Sequence, residues 1–248
     1  MINAQFFYKQ WVKREIKRNV YVPFFQGIYN FEKRSIKGME VLARKKVKGR
    51  YLSPAAFLSE IESSELMSEF TQSIIYQSLT LLNNINISNT LDISINVPPS
   101  LIEEQSFIQF IQTKVVGCYD ADKFNLILEL TESSRITNRT IFTKNIKLLQ
   151  KYGLKFYIDD FGKDYCDFDT YFSDLKIKDI KIDRSIVNGS QNTLQAVINF
   201  ADTLSADLIA EGVETREKSQ ELLKLGIKHH QGFLYSKPSV IEKVALSI

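Results

Sequence analysis

The sequence predicts an α/β protein whose strands form a parallel sheet closed as a (β/α)8 barrel. Short runs rich in β-branched and aromatic residues alternate with longer segments of helical period. Eight such short runs occur, and the chain has 248 residues, close to the ~250 of a single barrel of this type. An open doubly wound sheet shares the alternation, so the prediction of closure depends on the length and the number of strands.

The predicted strands are short segments in which Val, Ile, Tyr and Phe are concentrated. In chain order they cover residues 21–29, 36–43, 91–97, 124–130, 155–158, 179–182, 207–210 and 232–235. Their bodies are almost wholly apolar, as expected of strands covered by helices on one face and by the barrel interior on the other.

The predicted helices lie between these strands. They cover residues 54–63, 66–82, 100–115, 138–152, 193–204 and 216–225. Ser53 followed by Pro54 is typical of a helix start, and Gly153 and Gly226 lie just past two of the predicted helices, where a left-handed residue ends a helix.

Residues 1–20 form a separate basic amphipathic segment before the barrel domain of residues 21–248. Basic side chains recur at helical spacing among apolar ones, as in Phe6, Phe7, Lys9, Trp11 and Lys13. Two interpretations stay open: a helix packed on the barrel with a solvated basic face, or a contact with a partner or an anionic surface.

Composition excludes several classes of protein. Hydrophobic residues make up 44% and charged residues 25%, which excludes a disordered or fibrous chain. The net charge of +3 is too small to indicate nucleic-acid binding, and no DNA-binding segment is evident. Two cysteines favour a reducing cytoplasm, and we expect neither a signal peptide nor a membrane span.

Polar residues recur at the downstream ends of the predicted strands. The C-terminal ends of parallel strands open on one face, where the loops build the active site. The residues concerned are Glu40, Asn96, Glu129, Glu132, Asp159, Asp160, Lys181, Asp183, Glu211, Glu214 and Gln231. Any one of them could belong to a turn, a solvated loop or a salt bridge, but their joint recurrence predicts a site.

So many carboxylates around one opening predict a site for divalent cations. Like charges in one pocket raise each other's pKa, and hard cations with oxygen ligands relieve the repulsion. His229 and His230 are the only histidines, and the spacing of a zinc site is absent. Adjacent carboxylates such as Asp159 and Asp160 suit two Mg²⁺ or Mn²⁺ ions acting on a phosphoryl group.

Seven ordered motifs resemble those of the EAL family of cyclic-di-GMP phosphodiesterases. The resemblance extends from about Tyr21 to Pro238. The motifs are Glu40-Val41-Leu42 with Arg44, Ser94-Ile95-Asn96, Glu129-Leu130-Thr131-Glu132-Ser133, Asp159-Asp160-Phe161-Gly162, Lys181-Ile182-Asp183-Arg184-Ser185, Ala210-Glu211-Gly212-Val213-Glu214-Thr215 and Gln231-Gly232-Phe233. The resemblance implies a modified (β/α)8 barrel.

The resemblance also implies a role for each matching residue. Glu40, Asn96, Glu129 and Asp159 match ligands of one metal, and Asp159, Asp160 and Glu211 match ligands of a second. Lys181 matches the lysine that positions the attacking water, so Lys181, Glu40 and Glu211 are the expected catalytic residues. Glu132 matches a glutamate that braces the following loop. Gln26, Arg44, Gln231 and Glu214 match positions that contact or adjoin the substrate.

The implied reaction is hydrolysis of cyclic di-GMP to linear pGpG with two Mg²⁺ or Mn²⁺ ions, by an enzyme that could form a homodimer. The sequence departs from the family pattern most strongly in the loop 163–168, Lys-Asp-Tyr-Cys-Asp-Phe, which in the family shapes the second metal site and the dimer contact. A weak or inactive barrel that acts as a cyclic-di-GMP receptor or a protein-interaction regulator is therefore an alternative. Mg²⁺-dependent enolate chemistry, which also needs carboxylates at strand ends, is a third.

Overall fold

Nine strands form one sheet in the computed structural model, which describes residues 4–85, 87, 89–131, 135–162 and 167–245. The strands are β1 (Tyr21–Asn30), β2 (Ser35–Val47), β3 (Arg50–Leu52), β4 (Leu91–Val97), β5 (Phe124–Thr131), β6 (Lys155–Phe161), β7 (Asp179–Ile182), β8 (Asp207–Ala210) and β9 (His229–Gln231). Apart from β3, these strands correspond in order to the eight predicted from the sequence.

Ten α-helices are present among the described residues. They are α1 (Ala4–Lys17), α2 (Leu58–Ser63), α3 (Met67–Leu82), α4 (Pro99–Glu103), α5 (Gln105–Phe110), α6 (Arg139–Lys151), α7 (Arg184–Val187), α8 (Gln191–Leu204), α9 (Arg216–Lys224) and α10 (Ile241–Ala245). A 3₁₀ turn covers Pro54–Ala56, and π-helical turns cover Ile111–Val115 and Asp169–Asp174. None of the helices in the described part of the chain is both long and apolar enough to cross a bilayer.

Eight of the strands close into a barrel in the order β1, β2, β4, β5, β6, β7, β8, β9 and back to β1, which confirms the predicted closure. Strand β3 pairs only with the end of β2 and lies outside the ring. The prediction that all strands are parallel is wrong for β1, which is antiparallel to both β2 and β9. Residues 31–34 are too few for the crossover that parallel neighbours require.

Two further predictions of secondary structure are wrong in detail. The last strand is His229–Gln231 instead of 232–235, because the amides of Tyr235 and Ser236 donate hydrogen bonds back to the Gly232 carbonyl and the chain turns there. The predicted helix 100–115 is divided into α4, α5 and a π-helical turn, with the break at Glu104, whose backbone is extended.

Helix α1 lies against the barrel. Val12 and Ile16 are buried in the main hydrophobic cluster, whereas Phe6 and Phe7 are exposed. Lys45 of β2 binds Glu15 at 3.1 Å and its ammonium lies 4.8 Å from the ring centre of Trp11. These contacts fix the orientation of the helix, while its role stays a prediction.

A second network of polar side chains lies at the end of the barrel opposite the carboxylate-rich opening. Lys37 of β2 lies 3.8 Å from oxygens of both Asp92 and Asp179. The Tyr157 hydroxyl donates a hydrogen bond of 3.0 Å to Asp92. This network stabilises the closed end of the barrel, where structural roles are expected.

Candidate active site

The candidate site is a cavity at the C-terminal ends of the parallel strands. Its volume is about 260 Å³. Its lining residues are Gln26, Glu40, Leu42, Asp159, Asp160, Arg184, Glu211, Gly212, Glu214, Gln231, Gly232 and Phe233. Loops after β6, β7 and β8 meet the paired strands β1 and β2 there, so residues distant in sequence share one opening.

Lys181 lies beneath this cavity at the centre of the carboxylate cluster. Its side chain is 1% exposed, and its ammonium lies between 2.7 and 3.2 Å from four carboxylate oxygens. The four carboxylates belong to Glu40, Glu129, Asp159 and Glu211. Burial alone would lower the pKa of the ammonium, but the four carboxylates outweigh it and raise this pKa well above its ordinary value. In the metal-free protein this environment favours the charged form of Lys181.

Glu40 lies deeper in the barrel than a residue at the rim of the site would. It is in the middle of β2, opposite Gln26 of β1, because β2 runs on past the ring to pair with β3. Asn96 donates to one oxygen of Glu40 at 2.7 Å, and Gln231 donates to the other. Burial raises the pKa of Glu40, but the charge of Lys181 and these hydrogen bonds outweigh burial and lower it below the ordinary value.

A bulge brings the adjacent residues Asp159 and Asp160 to the same cavity. Consecutive side chains of a regular strand point to opposite faces. The pairing of β6 with β7 shifts register between Ile158 and Phe161, and Asp160 has a left-handed backbone with φ of 54°. Asp159, Asp160 and Glu211 consequently offer oxygens that all lie within 4.8 Å of one another.

The cluster contains more carboxyl groups than its one ammonium can neutralise. Burial is the largest influence on both Glu129 and Glu211: it raises the pKa of Glu129 well above its ordinary value and that of Glu211 to about 8, although Lys181 acts in the opposite direction. Oε1 of Glu129 is buried and accepts no hydrogen bond from the described residues. All-oxygen donors, carboxyl groups whose charged forms are disfavoured without a cation, and an unpartnered carboxylate oxygen together fit a hard divalent cation.

Most of the sequence-predicted site residues meet here, with three exceptions: Arg44, Glu132 and Asp183, which instead accepts a 2.8 Å hydrogen bond from the Ser185 amide at the start of α7. Gln231 donates a 3.4 Å hydrogen bond to Gln26, and both line the cavity. Arg44 is not among the lining residues, since its guanidinium donates to the Ala43 carbonyl at 2.8 Å and lies 5.7 Å from the centre of the Phe24 ring. Glu132 and residues 163–166 of the altered loop lie outside the described residues.

Besides the glycines Gly212 and Gly232, three lining residues had no role assigned from the sequence: Leu42, Arg184 and Phe233. Leu42 is two residues beyond Glu40 on β2 and so faces the same side, a periodicity that could have identified it. Arg184 is two residues beyond Ile182, the last residue of β7, and its guanidinium lies 3.5 Å from the Glu214 carboxylate. Phe233 is half exposed at the opening, with the Lys237 ammonium 5.5 Å from its ring centre.

The family described as "EAL domain" matches residues 9–238 of this chain. A probable cyclic di-GMP phosphodiesterase, PdeG of Escherichia coli (strain K12), is 33% identical over 236 residues, covering 92% of this chain and 46% of PdeG. The cyclic di-GMP phosphodiesterase PA2567 of Pseudomonas aeruginosa is 31% identical over 201 residues, covering 78% of this chain and 34% of PA2567. The chain thus spans less than half the length of these two relatives.

The fold also matches solved structures. The Klebsiella pneumoniae BlrP1 structure, described as a calcium/cy-diGMP complex at pH 8.0, has a TM-score of 0.75 with 25% identity. The match covers 89% of this chain and 56% of BlrP1. The fold is thus similar to that of a protein whose structure is described as a complex with calcium and cy-diGMP.

Proposed function

This chain belongs to the EAL-domain family, and from that membership we propose that it is a metal-dependent phosphodiesterase that hydrolyses cyclic di-GMP to linear pGpG. One observation carries the proposal: the carboxylates of Glu40, Glu129, Asp159 and Glu211 converge on the buried ammonium of Lys181 next to an open cavity. Such a concentration of charge is costly in a structural core and is typical of a site for cations and phosphoryl transfer.

Two divalent cations, Mg²⁺ or Mn²⁺, are part of the proposal. Asp159, Asp160 and Glu211 would hold one, and Asp159 with Glu40, Asn96 and Glu129 would hold the other. Bound there, such cations supply Lewis acidity and a more acidic water, and they convert a negative pocket into one that accepts a dianionic substrate.

Lys181 would act as a hydrogen-bond donor rather than as a base. An ammonium donates hydrogen bonds and has no free electron pair with which to take a proton, and in the metal-free protein burial is outweighed by the neighbouring carboxylates, which raise its pKa. A fixed ammonium can orient the attacking water and stabilise the negative charge that develops during phosphodiester cleavage. Glu40, Glu129, Asp159 and Glu211 hold that ammonium from four sides, which restricts it to one position.

The substrate would lie in the cavity above this cluster. Gln26, Gln231 and Glu214 line it and can hydrogen-bond to a guanine base, and Arg184 brings a cation to the opening. Arg44 keeps its proposed role in phosphate recognition only if its guanidinium turns away from Ala43. A cytoplasmic location and a homodimer stay predictions from the sequence.

The test is to incubate the purified protein with cyclic di-GMP and Mg²⁺ or Mn²⁺ and to measure pGpG by chromatography. We expect pGpG to form, and to stop forming when a chelator is in excess. Asp160→Asn should reduce turnover at least about a hundredfold, the scale of losing one preorganised electrostatic group. Asp202→Asn, an exposed change of equal charge in α8, should leave turnover unchanged.

Two results would contradict the proposal. Turnover that persists after exhaustive metal removal would refute the metal assignment. Saturable binding of cyclic di-GMP without formation of pGpG, with every divalent cation tested, would instead support the alternative function of a cyclic-di-GMP receptor, which the altered loop 163–168 suggests.

A further inference from the structure

A second cavity lies on the outer face of β1. Its volume is about 540 Å³, within the range of small-molecule sites. Because side chains alternate along a strand, Gln26 and Ile28 face the barrel interior while Gly27 and Tyr29 line this outer cavity. The other wall is the segment from Leu234 to Val244 that follows β9.

The charge lining the outer cavity is entirely positive among the described residues. Arg34, Lys237 and Lys243 line it, and no described acidic side chain does. None of the three forms an ion pair with another described residue, unlike Lys9, which pairs with Glu65 elsewhere on the surface. Three cations that share one cavity without a carboxylate favour a multiply charged anion.

Hydroxyl groups and aromatic rings complete the lining. Ser35, Ser236 and Ser239 offer hydroxyls. The Tyr29 and Tyr235 rings are stacked, with their centres 4.7 Å apart and their planes at 14°. Hydrogen-bond contacts of the Tyr235 hydroxyl to Ser219 at 2.6 Å and to His230 at 2.9 Å hold this pair in place.

We propose that the outer cavity is a second binding site, distinct from the active site, for a nucleotide that carries a phosphate monoester. The cations and hydroxyls would bind the phosphate, and the tyrosine pair would pack against the base. Cations alone would suit any anion, whereas a rigid aromatic pair beside them selects an anion joined to a planar ring. This proposal does not depend on the hydrolysis proposed for the active site.

Ser236 connects the two cavities, although they share no lining residue. Its hydroxyl oxygen accepts a 2.9 Å hydrogen bond from the Gly27 amide, which leaves its own proton available to a ligand. Its carbonyl accepts a 2.9 Å hydrogen bond from Gln26, whose side chain lines the active site. A nucleotide in the outer cavity would therefore contact Ser236, which itself binds the active-site residue Gln26.

The test measures binding of GMP to the full chain by isothermal titration calorimetry in chelator, so that no divalent cation assists phosphate binding in the active site. We expect saturable, salt-sensitive binding of GMP and weaker binding of inorganic phosphate or guanosine alone. The triple variant Arg34→Gln, Lys237→Gln, Lys243→Gln should weaken GMP binding at least about tenfold, because three charge-assisted hydrogen bonds are lost. Tyr29→Leu should weaken binding of GMP but not of phosphate.

A matched control removes three exposed lysines from α6. The variant Lys144→Gln, Lys147→Gln, Lys151→Gln changes the net charge by the same amount and should bind GMP as the original chain does. Equal weakening by both triple variants would show a non-specific charge effect and overturn the proposal. The absence of saturable GMP binding by the original chain up to about 1 mM would also overturn it.

Discussion

Replacing Lys181 by Met tests whether this lysine is the internal counter-ion of the carboxylate cluster. Met has a similar length and no charge, so the change removes the cation while nearly filling the same space. The carboxylates of Glu40, Glu129, Asp159 and Glu211 would then face one another without the ammonium that now lies within 3.2 Å of each.

The expected loss of stability is large in the metal-free protein. Removing one member of a buried ion pair costs about 3–5 kcal/mol in the free energy of unfolding, because the remaining charge stays buried and unpaired. For a chain of this length each kcal/mol lowers the melting temperature by about 2–4 °C, so Lys181→Met should lower it by at least about 6 °C.

Lys37→Met is the matched control. It removes a lysine from the opposite end of the same barrel, where the nearest carboxylate oxygens lie at 3.8 Å and the side chain is partly exposed. Weaker, partly solvated ion pairs contribute about 1 kcal/mol, so this variant should melt only about 2–4 °C below the original chain.

The assay is thermal unfolding of the three proteins in chelator and in saturating Mg²⁺. Ligand that binds only the folded state raises the melting temperature. Since Lys181 and a cation compete for the same carboxylates, Mg²⁺ should raise the melting temperature of Lys181→Met more than that of the original chain. Equal melting temperatures of Lys181→Met and the original chain in chelator would refute this role of Lys181. An equal rise of both melting temperatures in Mg²⁺ would refute it as well.

Three further changes test other parts of the structure. Glu40→Gln should reduce turnover at least about a hundredfold while the protein stays folded, because an amide keeps the shape but loses the charge; near-normal turnover in a folded variant would contradict its catalytic role. Burial and the neighbouring Lys37 lower the pKa of His229 to about 4. The charged or titratable groups facing its ring are Lys37, Asp92, Asp207 and His230. The unfolded chain binds this proton near pH 6.5, so the free energy of unfolding falls as the pH drops from about 6.5 towards 4. After allowance for partial exposure, His229→Gln should make this fall between pH 7 and pH 5 smaller by about 1 kcal/mol. An equal fall of the urea midpoint between these pH values in both proteins would contradict this. Gly232→Ala should lower the melting temperature by several degrees, since its Cβ atom would collide with the Val213 carbonyl; an unchanged melting temperature would show that the turn can relax.

The fold class could be predicted because the alternation of apolar strands and amphipathic helices is a local property. Strands β4, β7 and β8 begin and end at the predicted residues. The short connection to β2, residues 31–34, could have predicted the antiparallel direction of β1, whereas its pairing with β9, far along the chain, could not be obtained from local residues. Strand β3 was missed because all three of its residues are exposed and it has no apolar pattern.

The chemistry of the site was predictable from residue types, but its geometry was not. Asp159 and Asp160 could be recognised as a pair, yet only the bulge and the left-handed backbone of Asp160 explain how both reach one cavity. A salt bridge was one interpretation of Lys181 from the sequence alone, and four carboxylates do bind its ammonium. The depth of Glu40 followed from the extension of β2 towards β3, which periodicity alone does not indicate.

The antiparallel pairing of β1 with β9 has a consequence for how the protein is synthesised. Ile28 pairs with Gln231, so the first strand of this barrel keeps one edge unpaired until β9 has been synthesised. Gln26, which depends on Gln231 and on the Ser236 carbonyl for its hydrogen bonds, is held in place only then. A nascent chain can therefore complete the pocket only after residue 236 has been synthesised, and a chain released at residue 228 would lack β9 and leave the facing edges of β1 and β8 unpaired.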